Sequence, residues 1–256
     1  MKLTQPRIIQ HWQKEFSHSS YSNYFTPVHQ DVYAQKSAKS LVFLLPKDGF
    51  SSLYFISDDL CDLDEILQTL PPESICLEII QKGQMPPELS NIIQKYFYQK
   101  AIYEKITLAT HKLKLKTKLA KLQNILYPTE DDMEFLYQSL YQNFDKRFDH
   151  FPDKKMLLSY IQNQQILIKN SHNQIAAYLI YTLKEKTSHF NFLANLGTDS
   201  FSLIELIEQY YTKMLHSHIT HIFLWVDKIK NPRVKNMHFK YGYQTSNIFN
   251  YAFIKK

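Results

Sequence analysis

Short apolar runs alternate with amphipathic stretches along the first half of the chain. "KSLVFLLP" and "SSLYFIS" predict two strands, and the intervening "KDGF" places Gly49 at a hairpin turn. "DDLCDLDEILQTL" repeats leucine and isoleucine at helical spacing until Pro71 and Pro72 end the pattern. "SICLEIIQ", "PPELSNIIQKY" and "QKAIYEKITLAT" then predict a strand, a helix and a strand.

The second half shows a similar order of elements. "QQILIKN" predicts a strand, and "QIAAYLIYTLKEKTSHFNFLANL" is long enough for a hairpin of two strands. "SFSLIELIEQYYTKML" predicts a helix with Ser202 and Glu205 at capping-box spacing. "THIFLWVDK" predicts a buried strand, and "NPRVKNMHFKYG" a short helix before the closing strand "YQTSNIFNYAFIKK". We expect Gly242 to end that helix in a left-handed conformation, which glycine adopts without strain.

The repeated order predicts an α/β fold with a mixed sheet and two related units, over residues 1–118 and 119–256. The matching pentapeptides "KYFYQ" at Lys95–Gln99 and "KYGYQ" at Lys240–Gln244 agree with this interpretation. A length of 256 residues and a hydrophobic content of 44% provide enough apolar side chains for two cores.

Composition narrows the cellular setting and the partners. No apolar run reaches the roughly 18–20 residues of a membrane helix, and the amino end lacks the pattern of a signal peptide, so we expect a cytoplasmic protein without membrane contact. Its two cysteines, Cys61 and Cys76, do not form a disulfide scaffold.

The net charge of +6 is concentrated in part in "HKLKLKTKLAK", residues 111–121. Its alternation of lysine and leucine predicts an amphipathic strand leading into a connector. We interpret its lysines as a solvated face; the alternative is a specific anion or RNA site.

The second half resembles the GNAT superfamily of acyl-CoA N-acyltransferases, over roughly residues 122–256. "LQNILYPTEDDMEFLYQSL" is similar to the first strand, turn and first helix of that family, with Thr129 and Asp132 suited to capping. "IFLWVDKIKNPRVKNMHFKYGY" is similar to its closing signature of a strand, an asparagine and a short helix before Tyr-Gly-Phe or a variant. The first half resembles only the later part of the same fold, as a truncated or degenerate copy.

This resemblance implies a fourth and a fifth strand that splay apart, here Phe192–Leu196 and Phe223–Val226. In the family, the pantetheine arm of the thioester enters this gap and pairs with strand backbone, which fits the need of buried backbone groups for partners. The implied cosubstrate is acetyl-CoA or another acyl-CoA, and no metal is implied. The implied cofactor-binding residues are Leu193, Ala194, Asn195, Leu196, Gly197, Thr198 and Asn231.

The predicted phosphate turn departs from the family pattern of Gln/Arg-x-x-Gly-x-Gly/Ala. "NLGTDSFSLIEL" aligns Gly197 with the first glycine, but Asp199 and Phe201 stand about where small residues are expected. A carboxylate at this place repels phosphate, so we expect CoA binding to be weakened, displaced or lost.

Four residues are candidates for proton transfer or for contact with the acceptor amine. Alignment of the closing signature places His238 where many family members have the tyrosine that protonates the leaving thiolate, a role that imidazole can also serve. His189, Asn191 and Glu185 share one parity near the fourth strand, so any of them could face the acceptor amine as a base or through water. The alternative is that these are ordinary hydrophilic positions of a hairpin.

The resulting hypothesis is an N-acyltransferase that moves an acetyl or other acyl group from CoA to a small primary amine by direct attack. No serine or cysteine has the sequence context of a nucleophile, which agrees with direct transfer. The histidines of "HSHITH", residues 216–221, span a helix end and a strand start and do not predict a metal site.

Two alternatives remain open. The first is a non-catalytic protein of the same fold that binds a metabolite or a protein. The second is RNA or aminoacyl-tRNA binding, for which the pI near 9.0 is an argument but no RNA-binding signature exists.

Overall fold

The computed structural model describes residues 1–16, 18–23, 27–115, 126–172, 174–197 and 201–256, with Ser202 described by its backbone alone. The helices in these ranges are α1 Pro6–Glu15, α2 Leu60–Gln68, α3 Pro87–Tyr96, α4 Met133–Asn143, α5 Lys154–Gln162, α6 Phe201–His216 and α7 Pro232–Lys240. The strands are β1 Lys2–Thr4, β2 Tyr21–Ser22, β3 Val32–Lys36, β4 Ser40–Lys47, β5 Phe50–Ser57, β6 Ile75–Lys82, β7 Phe97–Ala109, β8 Ile166–Ser171, β9 Gln174–Lys184, β10 Thr187–Asn195, β11 His221–Asp227 and β12 Gln244–Lys255. Parallel and antiparallel pairs both occur, which confirms the predicted α/β class with mixed strand pairing.

The chain packs into two compact units, and each draws on more than one stretch of sequence. The first contains Met1–Tyr103, Asp227–Ile229 and Asn247–Lys256, and the second contains Glu104–Val226 and Lys230–Ser246. The boundary expected at 118/119 lies outside the described residues. That boundary and the origin of the units as tandem copies stay predictions.

The first unit has the strand order β1-β3-β4-β5-β6-β12. The closing strand of the chain thus belongs here, with Ile248–Ile254 antiparallel to Cys76–Lys82 of β6. Alternation along β4 sends Val42 and Leu44 into a core with α2 and α3, while Leu41 and Phe43 pack on the opposite face with Ile9 of α1. Helices therefore cover both faces of these strands.

A gap between β5 and β6 is filled by the chain itself. The two strands are parallel partners over Ser51–Leu53 and Ile75–Leu77. Beyond that point Asn23, which is 1% exposed, donates from its side-chain amide to the carbonyl oxygens of Leu53 at 3.0 Å and Glu78 at 2.9 Å. Its Oδ1 accepts from the backbone N–H of Phe55 at 2.7 Å. One buried carboxamide thus bridges the two separated strands.

The second unit has the strand order β11-β10-β9-β8, with its portion of β7 beside β11. One face carries a core that includes Ile207 and Tyr211 of α6 and Tyr241, which directly follows α7. The other face carries a core with Leu136 of α4 and Leu157 of α5. The strands that form the candidate site are thereby held from both sides.

Local signals in the sequence explain several element ends. The carboxylate of Asp59 caps α2 by accepting from the N–H of Cys61 at 2.8 Å. Asp132 accepts from the N–H of Thr129 at 2.8 Å, which confirms the predicted capping pair. Gly242 has φ +106°, and a Cβ there would lie 2.6 Å from the carbonyl oxygen of Lys112. The predicted need for glycine is confirmed, with close backbone approach as a second reason.

The strand predicted within residues 111–121 is wrong where the structure describes it. Thr110–Lys112 form a 3-10 turn, and 113–115 have no regular structure. Leu113 and Leu115 pack against the α6 and α7 core, so their alternation with lysine reflects one buried edge of an irregular segment. Residues 116–121 lie outside the described ranges.

Candidate functional site

The candidate site starts where β10 and β11 cease to pair. Thr187, Ser188 and His189 are parallel partners of His221, Ile222 and Phe223. Among the described residues no further pair joins these strands, although β10 continues to Asn195 and β11 to Asp227. This agrees with the expected separation over Phe192–Leu196 and Leu224–Val226, whereas Phe223, which was expected to belong to the separated stretch, still pairs with His189. Beyond this pair the inner edges of the two strands lack each other as partners.

A β-bulge in β10 lies just past the last paired residue. In the register with β9, Phe190 opposes Tyr181 while Phe192 opposes Ile180, so Asn191 is the extra residue. Phe190 consequently joins the core on the α6 side and Phe192 the core on the α4 side, although both have even numbers. The bulge reverses the faces of β10 at the position where the strands separate.

A pocket of about 360 Å³ lies beside this point. Its lining residues are Thr182, Lys184, Glu185, Thr187, His189 and Phe223. The structure therefore brings together His189 and Glu185, as the sequence suggested. Glu185, however, lies in the turn between β9 and β10, with φ +54°, rather than on the strand. A non-glycine residue in this conformation is strained, and the turn holds its carboxylate at the pocket rim.

The imidazole of His189 stacks on the ring of Phe223, with centroids 4.3 Å apart and planes 9° from parallel. Burial, assisted by the charges of Lys105 and His150, lowers the pKa of His189 to about 4. The ring is therefore uncharged at neutral pH, the state from which it can accept a proton, and the lowered pKa makes it a weaker base than a free imidazole. This is the protonation state that a general base requires.

Lys105 is a site residue that the sequence did not single out. Its ammonium lies 4.1 Å from the ring centroid of Phe223. Because β11 lies between β7 and β10, the phenyl ring separates this ammonium from the imidazole of His189. Lysine, phenyl and imidazole thus form a row across three neighbouring strands. Only the pairing of distant strands creates this row, so no local pattern could have indicated it.

His238 lies elsewhere, in the core of the second unit. It is 1% exposed, and its Nδ1 lies 3.1 Å from the hydroxyl of Tyr211. Its ring also contacts Phe190 and Tyr243 edge-on. Burial lowers its pKa to about 4. His238 is not among the residues that line the pocket of His189, so the structure does not bring these two predicted catalytic residues together.

The predicted cofactor-binding residues follow the outer half of β10. Leu193 packs toward the α6 core, Ala194 is buried toward α4, and Asn195 is exposed. Leu196 and Gly197 both donate their N–H groups to the carbonyl oxygen of Ala176, at 2.8 and 3.0 Å. These two amides are therefore already engaged within the sheet.

The other two residues of that set lie apart or outside the description. Asn231 is exposed and precedes α7, and its carbonyl oxygen accepts from Lys235. Thr198 and Asp199 lie outside the described residues. A second pocket of about 400 Å³ adjoins Asn195 and Leu196 and is lined mainly by amide side chains of α4: Gln138, Gln142 and Asn143 with Ser139 and Phe135.

Two of the three histidines within residues 216–221 make local contacts. His216 Nδ1 lies 2.9 Å from the carbonyl oxygen of Thr212, and His221 Nδ1 lies 3.0 Å from the hydroxyl of Thr220. Within the described ranges, no three His, Cys, Asp or Glu side chains gather into a group that could hold a metal ion. No helix in those ranges has the length and apolar character needed to span a membrane.

Comparison with known proteins gives a match in structure alone. No protein-family model and no curated protein matches the chain. A GCN5-related N-acetyltransferase from Sphaerobacter thermophilus has a TM-score of 0.58 and 8% identity, covering 96% of this chain and 84% of that one. A GNAT-family acetyltransferase from Colwellia psychrerythraea has a TM-score of 0.55 and 10% identity, covering 99% and 98%.

A third solved structure extends this agreement. The GCN5-related N-acetyltransferase from Kribbella flavida has a TM-score of 0.53 and 10% identity, covering 98% of this chain and 95% of that one. At such identities the likeness concerns the fold, and it extends over nearly the whole chain. The chain therefore has the fold of the GCN5-related N-acetyltransferases.

Proposed function

We propose that this protein is an N-acyltransferase that moves an acetyl or other acyl group from acyl-CoA to a small primary amine by direct transfer. The observation that carries the proposal is the separation of β10 from β11, with a bulge and an uncharged histidine at its apex. Fold likeness agrees with this chemistry but does not establish it.

The separated strands suit the pantetheine arm of CoA. That arm contains two amides in a narrow chain, and amides satisfy exposed strand backbone. The first unit offers an internal precedent, because the carboxamide of Asn23 makes hydrogen bonds of this kind to both β5 and β6. Leu193–Leu196 of β10 would hold the arm from one side and β11 from the other. The residues present therefore fit the cosubstrate.

The pocket beside His189 suits the acceptor amine. When bound, the thioester supplies the acyl group: the amine nitrogen attacks its carbonyl carbon, the C–N bond forms and the C–S bond breaks. The ammonium first loses one proton to solvent, which frees the lone pair for attack. His189 accepts the second proton, which the nitrogen loses as the C–N bond forms, and Phe223 holds the imidazole in place by stacking. Glu185 at the pocket rim attracts the ammonium form of the incoming amine. The sulfur leaves as a thiolate and takes a proton.

The donor of that last proton is proposed to be solvent. His238 was the candidate from sequence alignment, but a ring with a pKa near 4 is uncharged at neutral pH and is a poor acid. Its Nδ1 also lies against Tyr211 in the core. We therefore assign His238 a packing role. The mutation described in the Discussion tests whether it also takes part in catalysis.

Hydrogen exchange of backbone amides tests the proposal most directly. Acetyl-CoA should slow exchange over Phe192–Leu196 and Phe223–Val226, because a ligand in the gap shields these strands. The strands β5 and β6 provide the matched control within the same molecule, since Asn23 already occupies their gap. Acetyl-pantetheine, which lacks the nucleotide, should protect the same residues at higher concentration.

Two results would contradict the proposal. Unchanged exchange at millimolar acetyl-CoA would remove acyl-CoA as a ligand. Protection confined to other surfaces would show that CoA binds outside the separated strands. An isotherm for acetyl-CoA, measured by calorimetry on the same sample, supplies the affinity independently of any acceptor.

A non-catalytic GNAT-fold protein is the second candidate. The observation in its favour is that the N–H groups of Leu196 and Gly197 are both engaged by Ala176. An acid at Asp199 in the predicted phosphate turn adds to it. Binding of an amine or metabolite without binding of acyl-CoA would favour this candidate.

A further inference from the structure

Lys105 is partly buried, and no carboxylate of the part of the chain that the structure describes pairs with it. Its neighbour Glu104, on the opposite face of β7, is 3% exposed and pairs with Lys235 at 2.6 Å. Within the described residues no such ion pair forms at Lys105, whose ammonium contacts the Phe223 ring. Burial alone lowers the pKa of Lys105. A partly desolvated ammonium without an anion is costly, and an anionic ligand would remove that cost.

The charges around the His189 pocket lead to the same conclusion. Lys184 and Glu185 both line it, and Lys105 lies behind its Phe223 wall. His189 itself is uncharged at neutral pH. Two ammonium groups against one carboxylate disfavour an acceptor that is purely cationic, while Glu185 still attracts the amine end. The arrangement is complementary to a molecule with opposite charges at its two ends.

We propose that the acceptor is a small primary amine that also carries an anionic oxygen group, a carboxylate or a phosphate, which extends from the pocket past the edge of the Phe223 ring to Lys105 while Glu185 attracts the amine. The proposal rests on the proposed function in one respect, namely that the bound amine is the acyl acceptor. Lys105 is a specificity residue in this scheme. The pocket volume of about 360 Å³ limits the acceptor to a small molecule.

Matched amines test the proposal without any acyl transfer. Calorimetry would compare alanine with ethylamine, lysine with cadaverine, and phosphoethanolamine with ethanolamine, each with and without saturating CoA. The anionic member of a pair should bind at least about tenfold more tightly, because a charge-assisted hydrogen bond contributes roughly 1.5–3 kcal/mol. The pair with the largest ratio identifies carboxylate or phosphate as the anionic group.

Variants locate the effect. Lys105→Met should reduce the ratio, Lys105→Met combined with Lys184→Met should bring it to near one, and Lys105→Arg should retain most of it. Glu185→Gln should weaken both members of each pair by a similar factor. Lys228→Met is the matched control, since Lys228 also lies over a phenylalanine, Phe249 at 5.3 Å, but in the first unit. Its ratio should equal that of the wild type.

The outcomes separate this proposal from the proposed function. Equal binding within every pair, or a ratio that Lys105→Met leaves unchanged, overturns the anionic acceptor even if acetyl-CoA protects the separated strands. A Lys105-dependent preference without any acetyl-CoA binding supports the amine site and contradicts the transferase. A thermal melt of each variant excludes loss of folding as the cause of lost binding.

Discussion

The gap between β5 and β6 and the gap between β10 and β11 both arise where two parallel strands stop pairing. Each pair of strands is parallel over three residues and then separates. In the first gap the carboxamide of Asn23 bridges the strand backbones, and in the second no described residue does so. This difference is the basis on which we propose that acyl-CoA binds in the second unit.

The last paired residues of the two gaps differ in chemistry. Leu53 and Leu77 close the first pair, whereas His189 and Phe223 close the second. Only the second therefore places a proton acceptor at the apex. The second unit therefore combines strand backbone that no described side chain bridges with an ionisable group at the last pair. The gap of the first unit has neither feature among the described residues, which favours function in the second unit.

The largest expected effect concerns His189. His189→Gln should lower the rate of acyl transfer roughly a hundredfold to ten-thousandfold while acetyl-CoA affinity stays the same, because the imidazole acts on the amine and not on pantetheine. The rate is followed by thiol release with any acceptor active on the wild type. His238→Gln is the matched control and should keep the rate. A reversed result, with His238 essential and His189 dispensable, would restore His238 to the chemistry.

The next effect concerns the filled gap. Asn23→Ala should lower the free energy of unfolding by about 3–5 kcal/mol, since buried N–H and C=O groups of Phe55, Leu53 and Glu78 lose their partner. Urea unfolding measures the change. Asn163→Ala, at the exposed end of α5, is the control and should cost less than about 1 kcal/mol. A small loss at Asn23 would mean that the bridge contributes little and would weaken the comparison of the gaps.

The sequence predicted most elements but not the features that make the site. The β9–β10 hairpin, α6, α7 and the conformation of Gly242 follow from apolar spacing and from capping or turn residues, which act locally. Parity along β10 grouped Asn191 with His189 without indicating the bulge at Asn191, and the side chain of Asn191 accepts at 3.4 Å from Thr182, the cross-strand partner of His189. Sequence analysis assigned nothing to Asn23, α1 and the first three strands, although Ile9, Trp12 and Phe16 follow Pro6 at helical spacing and pack in one core.

Contacts between strands that are distant in the chain could not be predicted from the sequence either. Lys105 meets Phe223 only because β7 lies beside β11, and no spacing within either strand indicates this. The burial of His238 has a similar origin. The closing signature located its helix correctly, but the aromatic side chains that desolvate it come from α6, β10 and the turn after α7.

The response to acid should also distinguish the two units. His189 and His238 are both in the second unit, and both have a folded pKa near 4, below the ordinary 6.5. Between these pH values the unfolded chain binds more protons than the folded protein. The free energy of unfolding is therefore unaffected by the titration of these two histidines above about pH 6.5 and decreases as the pH falls toward 4. For His238 the loss is about 3 kcal/mol. Hydrogen exchange should show the second unit opening first.

His238→Gln isolates this effect, because glutamine does not titrate and can still bond to Tyr211. The free energy of unfolding of this variant should fall less between pH 7 and pH 4 than that of the wild type. Asn163→Ala, which removes no titratable group, is the control and should leave the pH dependence unchanged. Equal acid sensitivity of all three proteins would mean that His238 is not desolvated in the folded state.

The smallest expected effect concerns the predicted phosphate turn of the second unit. The Asn23 bridge that fills the gap between β5 and β6 has no phosphate-binding role to compare with it. Asp199→Asn removes one carboxylate near the expected pyrophosphate and should strengthen CoA binding by about 1 kcal/mol, roughly fivefold. The gain should shrink as salt rises from 0.01 to 0.15 M, because screening weakens repulsion between charges. Acetyl-pantetheine, which has no phosphate, should bind both proteins equally.

Asp31→Asn in the first unit is the charge-matched control. An equal gain for acetyl-pantetheine would show that Asp199 acts on the strand gap or on folding rather than on phosphate, and no gain at any salt would place the CoA phosphates away from this turn.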